Sequence, residues 1–139
     1  MMIDFFLPMQ PPTATHQEKK VMVRNGKPIF YEPEEVLDAR NKFEAYLAPY
    51  APKYPMVSPI QLLTKWCYPR VGKHRNGEYK TSKPDTDNMI KLFKDCMTKV
   101  GFWKDDAGVS SEITEKFWAD VPGIYVRVTE LPEHTEAGA

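Results

Sequence analysis

An α+β fold is what the sequence predicts: a mixed β-sheet with two main helices packed on it, in a single small domain. Three observations carry this. The chain has 139 residues, which fits one domain and leaves little room for a second. Apolar residues alternate in short stretches that come in adjacent pairs, the period of strands. Two longer stretches repeat apolar residues at three- and four-residue steps, the period of amphipathic helices.

The elements follow in order. Residues 2–7 form a first apolar strand, stopped by Pro8. Lys20 to Arg24 and Pro28 to Tyr31 flank Asn25-Gly26, and Asn-Gly between apolar runs signals a hairpin. A helix is predicted from Glu34 to Tyr50. Glu34 and Glu35 suit its positive end, and Val36, Ala39, Phe43, Tyr46, Leu47 and Tyr50 form its stripe. Ile60 to Tyr68 is a strand, with Ile60, Leu62, Thr64, Trp66 and Tyr68 on one face. Pro69 to Ser82 is polar and aperiodic and is expected as a long flexible loop. The second helix is expected from Asn88 to Val100, striped by Met89, Leu92, Phe93, Cys96, Met97 and Val100 and closed by Gly101. Ser110 to Trp118 and Gly123 to Thr129 are two closing strands, with Pro122-Gly123 as the turn between them. Residues 1–130 are thus the domain, and 131–139 a short acidic tail.

Composition narrows the function classes. There are 19 basic and 19 acidic residues, so net charge announces no nucleic-acid partner; any such argument depends on where the charges lie. Cys67 and Cys96 form no CxxC pair and no cluster with histidine, which argues against structural zinc and a disulfide scaffold; both are expected as buried free thiols. No apolar run approaches the roughly 20 residues that span a bilayer, so no membrane partner is expected and the location is read as cytoplasmic.

The chemistry concentrates at Lys83-Pro84-Asp85-Thr86-Asp87-Asn88-Met89-Ile90-Lys91. If 85–87 are extended, the two carboxylates point to one side. At ~4 Å and a surface-like dielectric, two such charges repel by roughly 4 kcal/mol. A proton on one of them, or a cation between them, relieves this. All-oxygen donors favour Mg²⁺ or Mn²⁺ over zinc. A second acidic pair, Asp105-Asp106, follows Gly101-Phe102-Trp103-Lys104. Across a helix of ~20 Å, Asp106 starts at the far end from Asp87, and it joins the first pair only if the chain reverses after Gly101. Phe102 and Trp103 are candidate anchors for that return. Lys91 lies one turn beyond Asp87 and suits a phosphate oxygen; Asp95 lies one turn further.

Each feature also has a plainer reading. A lone DxD at a helix start is more often a cap. Asp87, Lys91 and Asp95 also read as a solvated ion-pair ladder, and Asp105-Asp106 as a polar turn. Lys65 to Lys83 holds six Lys or Arg against one acid, Glu78, and this fits a solvated loop as well as a DNA contact. The histidines are scattered and take no ligand role. Trp66, Tyr68, Trp103 and Trp118 are expected in the core.

Together, the DxDNxxK run from Asp85 to Lys91, the helix with Asp95, and Gly101 to Val109 with its Asp pair resemble the RusA-like Holliday junction resolvases over Lys83 to Val109. Leu7-Pro8 with Pro11-Pro12 is similar to the family's opening, but Thr13-Ala14-Thr15-His16 departs from its Ser-x-Asn pattern. The resemblance implies a homodimer that cuts four-way or other branched DNA with Mg²⁺ (Mn²⁺ substituting), in recombination and repair, often phage-encoded. It implies Asp85, Asp87 and Asp106 as catalytic and metal residues and Lys91 as a further catalytic residue. An acidic site repels DNA, so basic residues must surround it; Lys73, Arg75, Lys80 and Lys83 are the candidates, contacting phosphates rather than bases. The alternative is a non-catalytic phage accessory protein that binds branched DNA. A phosphatase of the haloacid-dehalogenase type is the poorer reading, because a polar, proline-broken stretch precedes the DxD here.

Overall fold

The computed structural model describes residues 1–13 and 20–135. It is α+β, as expected. Strands β1 (Met2–Pro8), β4 (Ile60–Pro69), β5 (Val109–Ala119) and β6 (Gly123–Glu130) form one sheet; β2 (Lys20–Arg24) and β3 (Lys27–Tyr31) form a separate hairpin; the helices are α1 (Glu34–Leu47) and α2 (Thr86–Val100). The departure from the family's opening pattern at Thr13–His16 falls largely outside the described residues, as do residues 136–139 of the tail.

The sheet order is β1-β6-β4-β5. β4 pairs antiparallel with β6 and parallel with β5. A parallel pair needs a long crossover, and α2 supplies it. The two closing strands are therefore not paired with each other. β5 and β6 are joined by the turn around Pro122 but lie on opposite sides of β4. Gly123 is required where β6 meets β1: a Cβ there would stand 2.5 Å from the Leu7 carbonyl oxygen and 2.2 Å from Phe6 Cζ.

One face of the sheet carries the core. Ile60, Leu62, Thr64, Trp66 and Tyr68 alternate into it, as their spacing predicts. Phe43 of α1, Trp66 of β4 and Phe93 of α2 meet edge to face, with centroids 5.0–5.8 Å apart. The indole N–H groups of Trp66 and Trp103 are satisfied internally. Trp66 Nε1 donates to Thr64 Oγ1 at 2.9 Å, and Trp103 Nε1 to Thr98 Oγ1 at 2.7 Å. Cys96 is buried and its thiol pKa is pushed up to about 12 by burial; Cys67, also free, is only partly buried.

The helix ends follow local chemistry. α1 stops at Leu47, three residues before the expected Tyr50, and a 3₁₀ turn through Pro49 takes over. α2 ends at Gly101, whose φ of 98° is the left-handed conformation expected of that position. In the hairpin, Asn25 and Gly26 both have positive φ, as a type I′ turn demands.

The segment after β4 is not the free loop expected of its composition. It folds back along the outer edge of β5. Gly77 N–H donates to the Trp118 carbonyl at 2.7 Å, Trp118 N–H to the Glu78 carbonyl at 2.8 Å, and Lys80 N–H to the Lys116 carbonyl at 2.9 Å. His74 stacks on Trp118 at 4.5 Å. The segment thereby covers a sheet edge that would otherwise be open.

Candidate active site

α2 is the axis of the site. It begins at Thr86, two residues before the expected Asn88, with Asp85 at the N-cap. The Asp85 carbonyl accepts from Met89 N–H at 3.1 Å. This start changes the geometry of the acidic pair. The chain turns helical between the two aspartates, so they do not share one side of an extended strand. Asp87 sits in the first helical turn, where its charge meets the positive end of the helix.

The chain also makes the reversal that Asp106 needs. Gly101 and Phe102 N–H cap the end of α2, Phe102 and Trp103 are fully buried, and the Phe102 carbonyl accepts from Met56 N–H at 2.8 Å. With those anchors fixed, a 3₁₀ turn over Asp106–Gly108 leads into β5. Asp105 Oδ1 accepts from Ala107 N–H at 2.9 Å and caps this turn. Asp105 thus serves the backbone, and Asp106 is left for the surface beside α2.

The outcome is an open cleft of about 450 Å³ between α2 and the start of β5. Asp87, Lys91 and Asp106 line it, together with Asp95, Lys94 and Glu112. Asp85 is exposed at the helix cap and is not part of the lining. Four carboxylates face two ammoniums there, and Lys94 is tied to Glu112 at 2.8 Å. The donor set suits a hard divalent cation in kind, since every candidate ligand is a carboxylate oxygen. In placement, no three His, Cys, Asp or Glu side chains among the described residues stand close enough together to hold a metal ion.

Lys94 and Glu112 are cleft residues that the sequence reading does not include. Lys94 lies one helical step beyond Lys91, so a signal for it exists. Glu112 has no local signal; only the parallel β4–β5 pairing brings its strand beside α2.

The four basic candidates divide. Lys73, Arg75 and Lys83 are exposed. Lys80 is corrected: it is buried, with Nζ 4.5 Å from the centroid of the Trp118 ring and 5.3 Å from that of Tyr68. Its Nζ donates to Ser82 Oγ and to the Lys83 carbonyl, both at 2.6 Å. Burial lowers its pKa, and the like charge of Lys116 adds to this. An ammonium so engaged is not a DNA-facing group.

A family model described as Endodeoxyribonuclease RusA matches residues 8–129. The chain belongs to the RusA family. Among its relatives is a protein named crossover junction endodeoxyribonuclease rusA from Lactococcus phage r1t, 28% identical over 133 residues, covering 94% of this chain and all of that one. A second relative is the uncharacterized protein YqaN of Bacillus subtilis (strain 168), 28% identical over 125 residues, covering 78% of this chain and 84% of that one. The RusA match takes in every candidate residue of the cleft and both anchors of the chain reversal. No helix among the described residues is long and apolar enough to cross a membrane.

Proposed function

We propose that this protein is a divalent-metal-dependent endodeoxyribonuclease that resolves four-way DNA junctions in recombination and repair. The observation that carries the reading is that Asp87, Lys91 and Asp106, from two separate segments, line one cleft in a RusA-family chain.

The reaction is hydrolysis: a water oxygen bonds to phosphorus, one phosphodiester P–O bond breaks, and the departing oxygen ends protonated. Asp87 and Asp106 would hold the ion, and Asp85, exposed at the helix cap, is the further candidate ligand. Mg²⁺ is commonly held by one or two carboxylates, its own waters and substrate phosphate, so a site completed by DNA agrees with the absence of a preformed three-ligand cluster among the described residues. Such an ion, Mg²⁺ or Mn²⁺, supplies an acidified water and charge neutralisation at phosphate. Lys91 donates to a non-bridging phosphate oxygen and stabilises charge there. Lys73, Arg75 and Lys83 hold the DNA backbone and offset the acidity of the cleft.

Two symmetric nicks need two sites, and a C2 homodimer supplies them. Every described side chain from Val21 to Tyr31 is exposed, including Val23 at 72% and Phe30 at 68%. A lone two-stranded hairpin is marginal in water, which makes β2–β3 a candidate for that contact; the outermost strand of the sheet, β1, is another.

The test is a labelled four-way junction incubated with and without Mg²⁺. Paired nicks that require the ion support the proposal. The second reading is a branched-DNA-binding protein without catalysis. Tight junction binding with no cleavage in Mg²⁺ or Mn²⁺ would establish it instead.

A further inference from the structure

We propose that Lys80 and Lys116 are positioning residues: together they clamp the segment Ser82–Pro84 and thereby set where Asp85 and Asp87 stand. The structural half of this stands alone, and its kinetic consequence rests on the nuclease reading.

Three consecutive carbonyls lead into α2, and each accepts from a lysine. Lys116 Nζ donates to Ser82 O at 2.6 Å and to Pro84 O at 2.7 Å. Lys80 Nζ donates to Lys83 O at 2.6 Å and also holds Ser82 Oγ at 2.6 Å. These are short, charge-assisted bonds, about twice as strong as neutral ones. The two lysines are registered to each other, since Lys80 N–H donates to the Lys116 carbonyl at 2.9 Å.

The cost of the arrangement argues for its role. An ammonium buried without partners is strongly unfavourable, and two like charges reaching one short segment repel. Lys80 stays buried because two oxygens and the faces of Tyr68 and Trp118 surround it. A loop that only had to connect β4 to α2 would leave these carbonyls to water. Here they are fixed to the edge of β5, the strand whose beginning carries the Asp106 turn. The same strand thus fixes both acidic segments, Asp106 through the chain and Asp85 and Asp87 through Lys116.

Lys116→Met removes two of the four bonds, and Lys80→Met the other two. Lys116 is only partly buried, so its variant keeps the test open if Lys80→Met fails to fold. Two measurements are made on the full chain. The first is hydrogen exchange of the Met89 amide, which is bonded to the Asp85 carbonyl at the start of α2. In folded Lys116→Met this amide should exchange about tenfold faster or more, with the amides of β4 and β6 unchanged; unchanged exchange at Met89 overturns the clamp whatever the protein cuts. The second is junction cleavage across a Mg²⁺ titration. Lys116→Met should lose between about 10- and 100-fold in rate, the scale of a misplaced reacting group. Its half-saturating Mg²⁺ should rise, junction Kd should stay as in wild type, and Lys116→Arg should recover most of the rate. A folded variant with wild-type rate and wild-type Mg²⁺ dependence overturns the positioning role. Wild-type protein that cuts no junction refutes the nuclease reading instead, and the exchange measurement still decides the clamp.

Discussion

Asp106 and Asp105 are neighbours with the same side chain, yet the fold gives them different work. Asp105 bonds its own turn and Asp106 faces the cleft. The difference yields a sharp prediction. Asp106→Asn and Asp87→Asn should each lower junction cleavage by roughly 100-fold or more, and junction binding should hold or tighten, because a negative charge near DNA is gone. Asp105→Asn keeps an oxygen acceptor for Ala107 N–H and should cut within a few fold of wild type. Single-turnover cleavage and a binding titration on the same DNA separate these outcomes; an Asp106→Asn protein that cuts normally removes the site. Lys80 teaches the converse. Its place in a basic run suggests DNA, but the rings of Tyr68 and Trp118 hold it inside. Sequence gives a residue's charge, and only its neighbours give its address.

At the scale of elements, β1 and β6 meet so closely at Gly123 that a Cβ would strike the Leu7 carbonyl, a backbone atom with little freedom to move. Gly123→Ala should destabilise the fold by about 1–3 kcal/mol, the usual cost of overpacking, read as a lower urea midpoint with an unchanged slope. An unaltered midpoint would mean the strands separate at no cost. Elements are largely legible where their signals are local: the hairpin from Asn25-Gly26, α1 from its apolar stripe, the end of α2 from Gly101. The start of α2 is ambiguous in the sequence because two aspartates, both good caps, stand two residues apart; the bond from Met89 N–H to the Asp85 carbonyl decides between them. The order of segment 69–82 is illegible locally because it comes from hydrogen bonds to a strand some forty residues later.

For the whole molecule, DNA affinity should follow the exposed basic residues rather than the neutral net charge. Lys73→Ala with Arg75→Ala should weaken junction binding and reduce the slope of log affinity against log salt by about 2, one for each phosphate no longer neutralised. Fluorescence anisotropy over a range of salt measures this, and an unchanged slope takes both residues off the DNA surface. The homodimer belongs to the same scale. Sedimentation of the protein should give twice the monomer mass of 16.1 kDa, and a monomer that still makes paired nicks would refute the symmetry argument.

The sequence by itself determined the α+β class, most element positions, the face of β4 that enters the core, and the acidic segments with Lys91 between them. All of these follow from short-range periodicity and from residue types with strong local preferences. Tertiary structure decided which strands are neighbours, that β4 separates β5 from β6, and that Asp106 returns to the side of α2 where Asp87 stands. It also buried Lys80 and brought Glu112 to the cleft. Those outcomes depend on pairings between residues tens of positions apart, and the pattern along a single stretch of chain carries no record of them.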